Sequence, residues 1–597
     1  MIVPMKKITV LSTEAQKENT LKALRDLGVM HIISLKTPSG ASLNLAKDEM
    51  NTAQKALDAL PAKAKKESVV TGSSKALFQE LKSLLAQKKE LEEENAAIKS
   101  DLNRFSIYGD LDPQQIKSLE NQGIFISLYE AEKSQKPSFE GEAVLHYFGK
   151  DSYGEKYAVI NRGESAVQVN ATKLSLPSQA LSTLRTRLSS QEELLSKIES
   201  RLTQIASAKS LLKEELLNKV DDFNFEEVSA GTFSDSGISM VQGFCPVPRL
   251  HELEALAPKL GLGLKIEDPS EEEQVPTLLE YNKLSSPMKF LYDIIGISPG
   301  YNEMDVSLVF LAFFSIFFAM IVGDAAYGLL FLALTLFAQA KLPKAPKAAF
   351  HFMILMSVST FIWGFFNNSF FGFSPEVLDI TQKSFVPGFL KSFANWIRVD
   401  TSVQYLCFIL GVSHLTIAHL WNFVIKLKRK STTAIAQIGW LFSTWFMFFL
   451  ASNMVLDKEI PAFATPLFIV GLVLVVLFMV PPRDIKKEWI SFPMLIFDVV
   501  NNFVDIISYI RLFAVGMAGV AIAEAFNGML SPLFGSVVGI AVSVLALFFV
   551  HALNIALSIM GVAVHALRLN TLEFSSHLDL QWSGTEFKPF AKENTNA

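Results

Sequence analysis

Two arginines stand inside long apolar runs. Arg511 lies in Ser508-Tyr509-Ile510-Arg511-Leu512-Phe513-Ala514-Val515-Gly516 with no other charge between Asp505 and Glu524, and Arg568 lies in Val564-His565-Ala566-Leu567-Arg568-Leu569. An arginine at mid-bilayer costs about 2.5 to 3.5 kcal/mol on insertion scales, so a buried one needs a partner or a wet cavity. Asp498, Asn501, Asn502, Asp505 and Ser508 precede Arg511 mostly in steps of three, making one polar stripe on that helix. His551, Asn554, Ser558, His565 and Arg568 make a looser stripe on the next run. Facing stripes of carboxylates, amides, histidines and guanidinium would line aqueous access for an ion within the bilayer. The plainer alternative is that Arg568, near a helix end, snorkels to the interface, and that Asp498 and Asp505 cap or pair locally.

The elements that carry these groups belong to a membrane half. Asp, Glu, Lys and Arg number 79 in residues 1–303 but 34 in residues 304–597. Apolar runs cover about 306–340, 347–371, 403–425, 433–453, 462–481, 490–530 and 534–574. The first is too long for one crossing of a roughly 30 Å hydrocarbon core, and Gly323-Asp324 at its midpoint predicts a helical hairpin, giving eight spans. The basic residues agree with that count. Loops 341–347, 426–430 and 482–488 carry three, four and three Lys/Arg, against three over 372–402, one over 453–461 and none over 529–536. The positive-inside rule then puts the first three loops in the cytoplasm, on the same side as the N-terminal half. The last two runs, about 60 Å each if continuous helices, must tilt, break or protrude.

The first half has an ordinary soluble composition and reads as an arm. Leu181, Leu184, Leu188, Gln191, Leu195, Ile198, Leu202, Ile205, Lys209, Leu212 and Leu216 step by three and four, and Leu77, Leu81, Leu84, Lys88, Leu91, Asn95, Ile98, Leu102 and Phe105 repeat the pattern. These heptads predict an antiparallel coiled coil of residues 74–105 and 181–217, with a continuous second helix about 55 Å long. Strand-like runs at 123–128, 143–148 and 156–161 predict a distal α/β head over 106–176. Two β-α-β patterns, one in 1–40 and one in 225–275, fit a single ferredoxin-like lobe or two unrelated patches. The N-terminal stretch is too quickly polar for a secretory signal, so residues 1–303 are expected to stay cytoplasmic.

Exclusions follow from what is missing. Cys245 and Cys407 lie in different halves, which disfavours a disulfide framework or a cysteine metal site. No GxxxxGK[ST], HExxH, GxSxG or paired CxxC occurs, so the chain itself is expected to hydrolyse nothing and to carry no metal or cofactor. A net charge of -5 argues against nucleic acid as a partner.

With these motifs in order, the sequence resembles subunit a, or subunit I, of rotary V-type and A-type ATPases. The resemblance rests on Ser508 to Gly516, on His565-Ala566-Leu567-Arg568-Leu569 with Glu573, and on Gly243-Phe244-Cys245-Pro246. It continues through Val275-Pro276-Thr277 with Asn282, Tyr301-Asn302-Glu303-Met304-Asp305, Gly323-Asp324-Ala325-Ala326-Tyr327-Gly328, His414 and the terminal Gly584-Thr585-Glu586-Phe587-Lys588-Pro589-Phe590. It covers essentially the whole chain, whose length is closer to bacterial and archaeal members. Ala326, Val306 and Trp582-Ser583 depart from the usual residues, and Ser558 stands where eukaryotic members carry an acid. That departure leaves Asp498, Asp505, Glu524 and Glu573 as candidate half-channel acids, with Asp324 a further candidate.

The resemblance implies an α-helical polytopic membrane protein with about eight transmembrane helices, two long and tilted, behind a cytoplasmic arm spanning 1–303. The implied function is the stator and ion-channel subunit of a rotary ATPase, residues 304–597 forming the channel domain with a short cytoplasmic C-terminal tail. Two offset half-channels would serve a ring of proteolipid subunits, each with a buried carboxylate, and a fixed guanidinium would separate them. Arg511 takes that role first and Arg568 second. The transported ion would be H+ or Na+, in a prokaryotic inner or plasma membrane with both termini cytoplasmic. The implied partners are the proteolipid ring, peripheral-stalk subunits, the central-stalk adaptor, the ATPase head and membrane lipid. A secondary ion-coupled transporter is the competing reading; it explains intramembrane charges but not a 303-residue arm.

Overall fold

The computed structural model describes the chain except for residues 62–72, 132–136, 139–141, 151–153, 164–166, 168, 271–272, 344, 374–385, 481–490 and 593–597. The basic loop 482–488 therefore lies outside the described residues, as do parts of the distal head and of loop 372–402.

The two β-α-β patterns share one antiparallel sheet. Met5–Thr13 pairs with Ile238–Pro246 on one edge and Gly263–Glu267 on the other, while His31–Ile33 pairs with the far side of Ile238–Pro246. Helices Lys17–Leu27 and Leu250–Leu260 complete a ferredoxin-like lobe, its core formed by Ile8, Val10, Leu21, Leu24, Val241 and Leu253. A short strand, Phe233–Asp235, adds a hairpin to Ile238–Pro246 that the sequence pattern does not predict.

From this lobe Ser74–Phe105 and Leu181–Ile205 run antiparallel. The pairing direction is legible in the ion pairs: Arg201 meets Glu80 at 2.7 Å and Arg187 meets Glu94 at 2.8 Å, one index rising as the other falls. Exposed pairs contribute only about 0–1 kcal/mol each, so the buried seam of Leu77, Leu81, Ile98, Leu184, Ile198 and Leu202 holds the coil. The expected unbroken helix 181–217 is corrected in two ways. It breaks into a tighter turn at Ala206–Ala208, then continues as Lys209–Gly231 beyond the predicted end. There its partner changes to Ala41–Asp58, a helix absent from the sequence reading, whose buried side is only Leu43, Ala53, Ala56 and Leu57, half of them alanine. At the tip, a four-stranded antiparallel sheet is ordered Val144–Lys150, Glu155–Arg162, Ile124–Ala131, Thr172–Lys173, with Pro113–Glu120 packed alongside.

Among the described residues of the membrane half, five helices are long and apolar enough to cross a bilayer: Lys347–Asn367, Asp400–Lys428, Ala434–Leu456, Phe492–Gly535 and Val537–His577. Against the eight expected, the described residues therefore give five, or six if the bent pair that follows is one span, with Ala464–Phe478 a shorter apolar helix. Ser307–Val322 and Ala325–Lys341 meet at a 119° bend, and Ala464–Phe478 precedes the undescribed loop. Gly323 makes the bend with φ of +69°, a conformation open to glycine at little cost. The two long helices span about 60 Å or more, well beyond one upright crossing. The first passes through a single turn residue, Tyr509, between Ser491–Ser508 and Ile510–Leu530. The second runs from Val537–Gly561 into two π-helical turns, Val562–Ala566 and Leu569–Phe574.

The tail straps the halves together. Phe590 enters the lobe core and Phe587 packs with Met5, Phe244 and Val275. Backbone hydrogen bonds run from Phe590 N to Met30 O at 2.8 Å and from Thr277 N to Thr585 O at 2.7 Å. The N-terminal ammonium donates to Asp305 Oδ2 at 2.5 Å, just before the first membrane helix.

Candidate functional site

The two long helices run antiparallel, so residues around 498–511 on one face residues around 568–577 on the other. Gly516 lets the first approach the hairpin closely, since a Cβ there would fall 2.3 Å from Met320 O. Arg511 lies five residues before this close approach. Its Nη2 donates to Glu573 Oε1 at 2.6 Å and its Nε to Ser508 O at 2.9 Å. Arg568 Nε lies 3.4 Å from the same Oε1. Glu573 is 3% exposed, whereas the Arg511 and Arg568 side chains are 23% and 53% exposed, so one buried carboxylate oxygen serves two guanidinium groups that open outward. Glu573 Oε2 is buried without a hydrogen-bond partner among the described residues.

The π-helical turns explain this pairing. On an α-helix, residues five apart lie about 140° apart around the axis, whereas i to i+5 is the hydrogen-bonded repeat of a π-helix. Arg568 and Glu573 share a side because the chain between them is wound that way. Single π turns inside α-helices recur at functional sites.

On the arm side of this pair lies a polar cavity of about 570 Å³, bordered by Asp498, Asn501, Asn502, Asp505, Arg568 and Glu573. A hydrogen-bonded chain lines it. Asp505 Oδ2 is 3.0 Å from His577 Nε2, His577 Nδ1 is 3.1 Å from His419 Nε2, and His419 Nδ1 is 3.0 Å from Gln437 Oε1. At the mouth, Asp579 takes hydrogen bonds from Lys426 and Asn422. The arm side is fixed by Arg429, whose Nη2 donates to Asn302 O.

On the opposite side of Arg511 a second cavity of about 300 Å³ opens between the same two helices, bordered by Val515, Gly519, Asn554, Ser558 and His565. Asn554 donates to Gly519 O at 2.9 Å and to the Tyr327 hydroxyl at 3.1 Å, and that hydroxyl lies 2.8 Å from His551 Nδ1. Glu524 borders a third, smaller space of about 180 Å³ with Arg398 and Asp400. None of these cavities has Arg511 in its wall.

The expected residues thus sort by place. Asp498, Asn501, Asp505, Arg568 and Glu573 gather at the arm-side cavity; Ser558, Asn554 and His565 at the second; Glu524 at the third. His551 reaches the second through Tyr327. Ser508 turns its hydroxyl back to Val504 O, and its carbonyl rather than its side chain meets Arg511. Asp324 lines none of the three cavities. It caps Ala325–Lys341 by accepting from Ala326 N and Tyr327 N, and its other oxygen accepts from Ser369 Oγ and Gly372 N. His419, Gln437, His577 and Tyr327 were missed by the sequence reading. The usable signal was polarity inside apolar runs, with His577 one turn beyond Glu573 on the same face. Among the described residues no group of three or more His, Cys, Asp or Glu is placed to hold a metal ion.

Together these features define a class: a polytopic membrane subunit with a long stalk-like arm and two arginines sharing one buried carboxylate between two overlong helices. No family model matches the chain. It is 30% identical to the V-type ATP synthase subunit I of Borreliella burgdorferi, over 99% of this chain and 100% of that one. It is 28% identical to V-type ATP synthase subunit I 1 of Treponema pallidum over 99% and 100%, and 26% identical to the A-type ATP synthase subunit I of Methanocaldococcus jannaschii over 67% and 63%. The crystal structure of the cytoplasmic N-terminal domain of a subunit I, a homolog of subunit a of V-ATPase, aligns with 44% of this chain and 99% of that one at 15% identity; its TM-score of 0.21 carries no argument. The chain belongs to the subunit I family of V-type and A-type ATP synthases. It is a membrane subunit of a rotary ATP synthase complex, whose other subunits are its partners, and this displaces the lone-transporter reading.

Proposed function

We infer that this chain is the ion-conducting stator of its complex and that Arg511 is the group past which no free ion moves. The observation that carries the reading is the Arg511–Glu573 pair, with one polar cavity lined by Glu573 and a separate one lined by Val515, Asn554 and Ser558 farther along the same two helices. A guanidinium keeps its charge at any accessible pH. In a low-dielectric slot it favours the ionised form of a ring carboxylate brought against it, so that carboxylate sheds its H+ or Na+ into one half-channel before it passes. The same charge repels a cation crossing directly between cavities. Glu573 would then be a resident counter-ion, holding Arg511 and Arg568 when no ring carboxylate is in place.

The last helix supports a ring-facing role. Only 11% of its span window is buried within this chain, against 50% for Ala434–Leu456, and Val537, Phe548, Phe549, Leu553 and Met560 are exposed. The arm, with its lobe, coil and distal head, would resist rotor torque by binding peripheral-stalk subunits, both termini lying in the cytoplasm of a prokaryotic cell. Nucleotide hydrolysis or synthesis falls to the head subunits. The test is cysteine accessibility in the assembled complex, in a Cys245→Ser, Cys407→Ser background. Cysteine at Asn501 should react with an impermeant thiol reagent from the arm side only, and cysteine at Ser558 from the opposite side only. Reaction of both from one side would contradict two offset half-channels.

A further inference from the structure

His414 makes no hydrogen bond to the Arg511–Glu573 pair, yet it touches the neighbours of both members. Its Nδ1 is 2.9 Å from the hydroxyl of Tyr509, two residues before Arg511. Its ring lies flat on Phe574, the residue after Glu573, with centroids 4.3 Å and planes 7° apart, while Phe313 covers the other face at 4.0 Å. His414, Tyr509 and Phe574 are each fully buried. Tyr509 is the turn residue between the two segments of the first long helix, and its ring presses on Gly411, where a Cβ would come within 2.8 Å.

This is more than packing requires. A phenylalanine would fill the slot between Phe313 and Phe574, but it would leave the buried Tyr509 hydroxyl without its hydrogen bond. A hydrogen bond in an apolar interior is directional and stronger than in water, so it fixes the rotation of the helix where Arg511 departs. The stack fixes the π-helical turn that presents Glu573. The two helices carrying the pair are thus referenced to one side chain on a third, Asp400–Lys428.

We propose that His414 is a positioning residue for ion transfer, holding the Arg511 guanidinium and the Glu573 carboxylate in register through Tyr509 and Phe574. The proposal rests on the reading of Arg511 as the coupling group. The test uses the complete reconstituted ATPase and compares the parent with Tyr509→Phe, His414→Phe, the double variant and Arg511→Gln. Assembled complex, ATP hydrolysis and ions moved per ATP are measured for each. Tyr509→Phe and His414→Phe should each assemble within about twofold of the parent and lower ions per ATP about three- to tenfold, the double variant being no worse than the stronger single. Loss of assembled complex with an unchanged ion-to-ATP ratio would reduce His414 to a structural residue and overturn the proposal, as would independent, multiplying losses in the double variant. Arg511→Gln should move no ions. If it pumps normally, the underlying reading fails; if it is inactive while the His414 and Tyr509 variants keep the parent ratio, the positioning proposal alone fails.

Discussion

The hairpin turn around Asp324 and the long-helix crossing around Glu573 each bury one carboxylate at 3% exposure, and they use it in opposite ways. Asp324 is saturated by two backbone amides of the helix it starts, one hydroxyl and one further amide, all short-range in geometry and none of them charged. Glu573 gives one oxygen to two arginines and leaves the other without a partner among the described residues. A carboxylate whose lone pairs are filled by backbone donors locks a turn. One held by partly exposed cations, with spare acceptor capacity, can exchange partners. The first arrangement is suited to architecture and the second to the proposed cycle, in which a ring carboxylate would arrive and leave.

Substitutions at the two sites should separate these roles. Asp324→Ala removes a buried cap, worth about 1–2 kcal/mol, and strands further buried donors at about 1–3 kcal/mol each, so a loss of about 3 kcal/mol or more is expected. It should appear as a markedly lowered thermal midpoint of the complex, while ions moved per assembled complex stay near the parent value. Glu573→Gln keeps the shape and removes the charge; ATP-driven transport should fall about tenfold, equivalent to about 1.4 kcal/mol, with little change in thermal midpoint. The reverse pattern, Asp324 governing transport and Glu573 stability, would dissolve the comparison. Arg568→Lys should cost less transport than Arg511→Lys, because Arg568 is farther from Glu573 and more exposed. Equal and harmless behaviour of both would favour arginines that only reach for the interface.

A smaller effect is expected where the tail meets the lobe. Lys588 N donates to His31 Nδ1 at 3.0 Å, and burial pushes the His31 imidazole below its ordinary range. The docked state therefore favours neutral His31, and the unfolded or undocked state binds more protons. Tail docking should be complete above the ordinary histidine pKa of about 6.5 and weaken as pH falls below it. Limited proteolysis of the tail at decreasing pH measures this, and His31→Phe should flatten the response.

Much of the architecture was legible in local pattern. Heptads located Ser74–Phe105 and Leu181–Ile205, the Gly323-Asp324 pair located the hairpin bend, and the steps of three before Arg511 located the arm-side polar stripe. What escaped depended on winding or on assembly from several elements. The Arg568–Glu573 contact depends on π-helical turns that no α-helical periodicity predicts. The Asp505–His577–His419–Gln437 chain draws on four separate helical segments, so no spacing along the sequence announces it. Ala41–Asp58 hid because a buried side of only two leucines and two alanines gives little hydrophobic contrast. The helix cap made by Asp324 was not legible either, since it needs Ser369 and Gly372 from a distant loop.

The central claim is that ion flow between the two cavities runs through the Arg511 guanidinium's control of a ring carboxylate. It is tested most directly by measuring ATP-driven ion uptake and ATP hydrolysis together in vesicles bearing the whole complex with Arg511→Gln. The account predicts a normally assembled complex whose ATP-driven uptake has vanished. Uptake per ATP equal to that of the parent would contradict it.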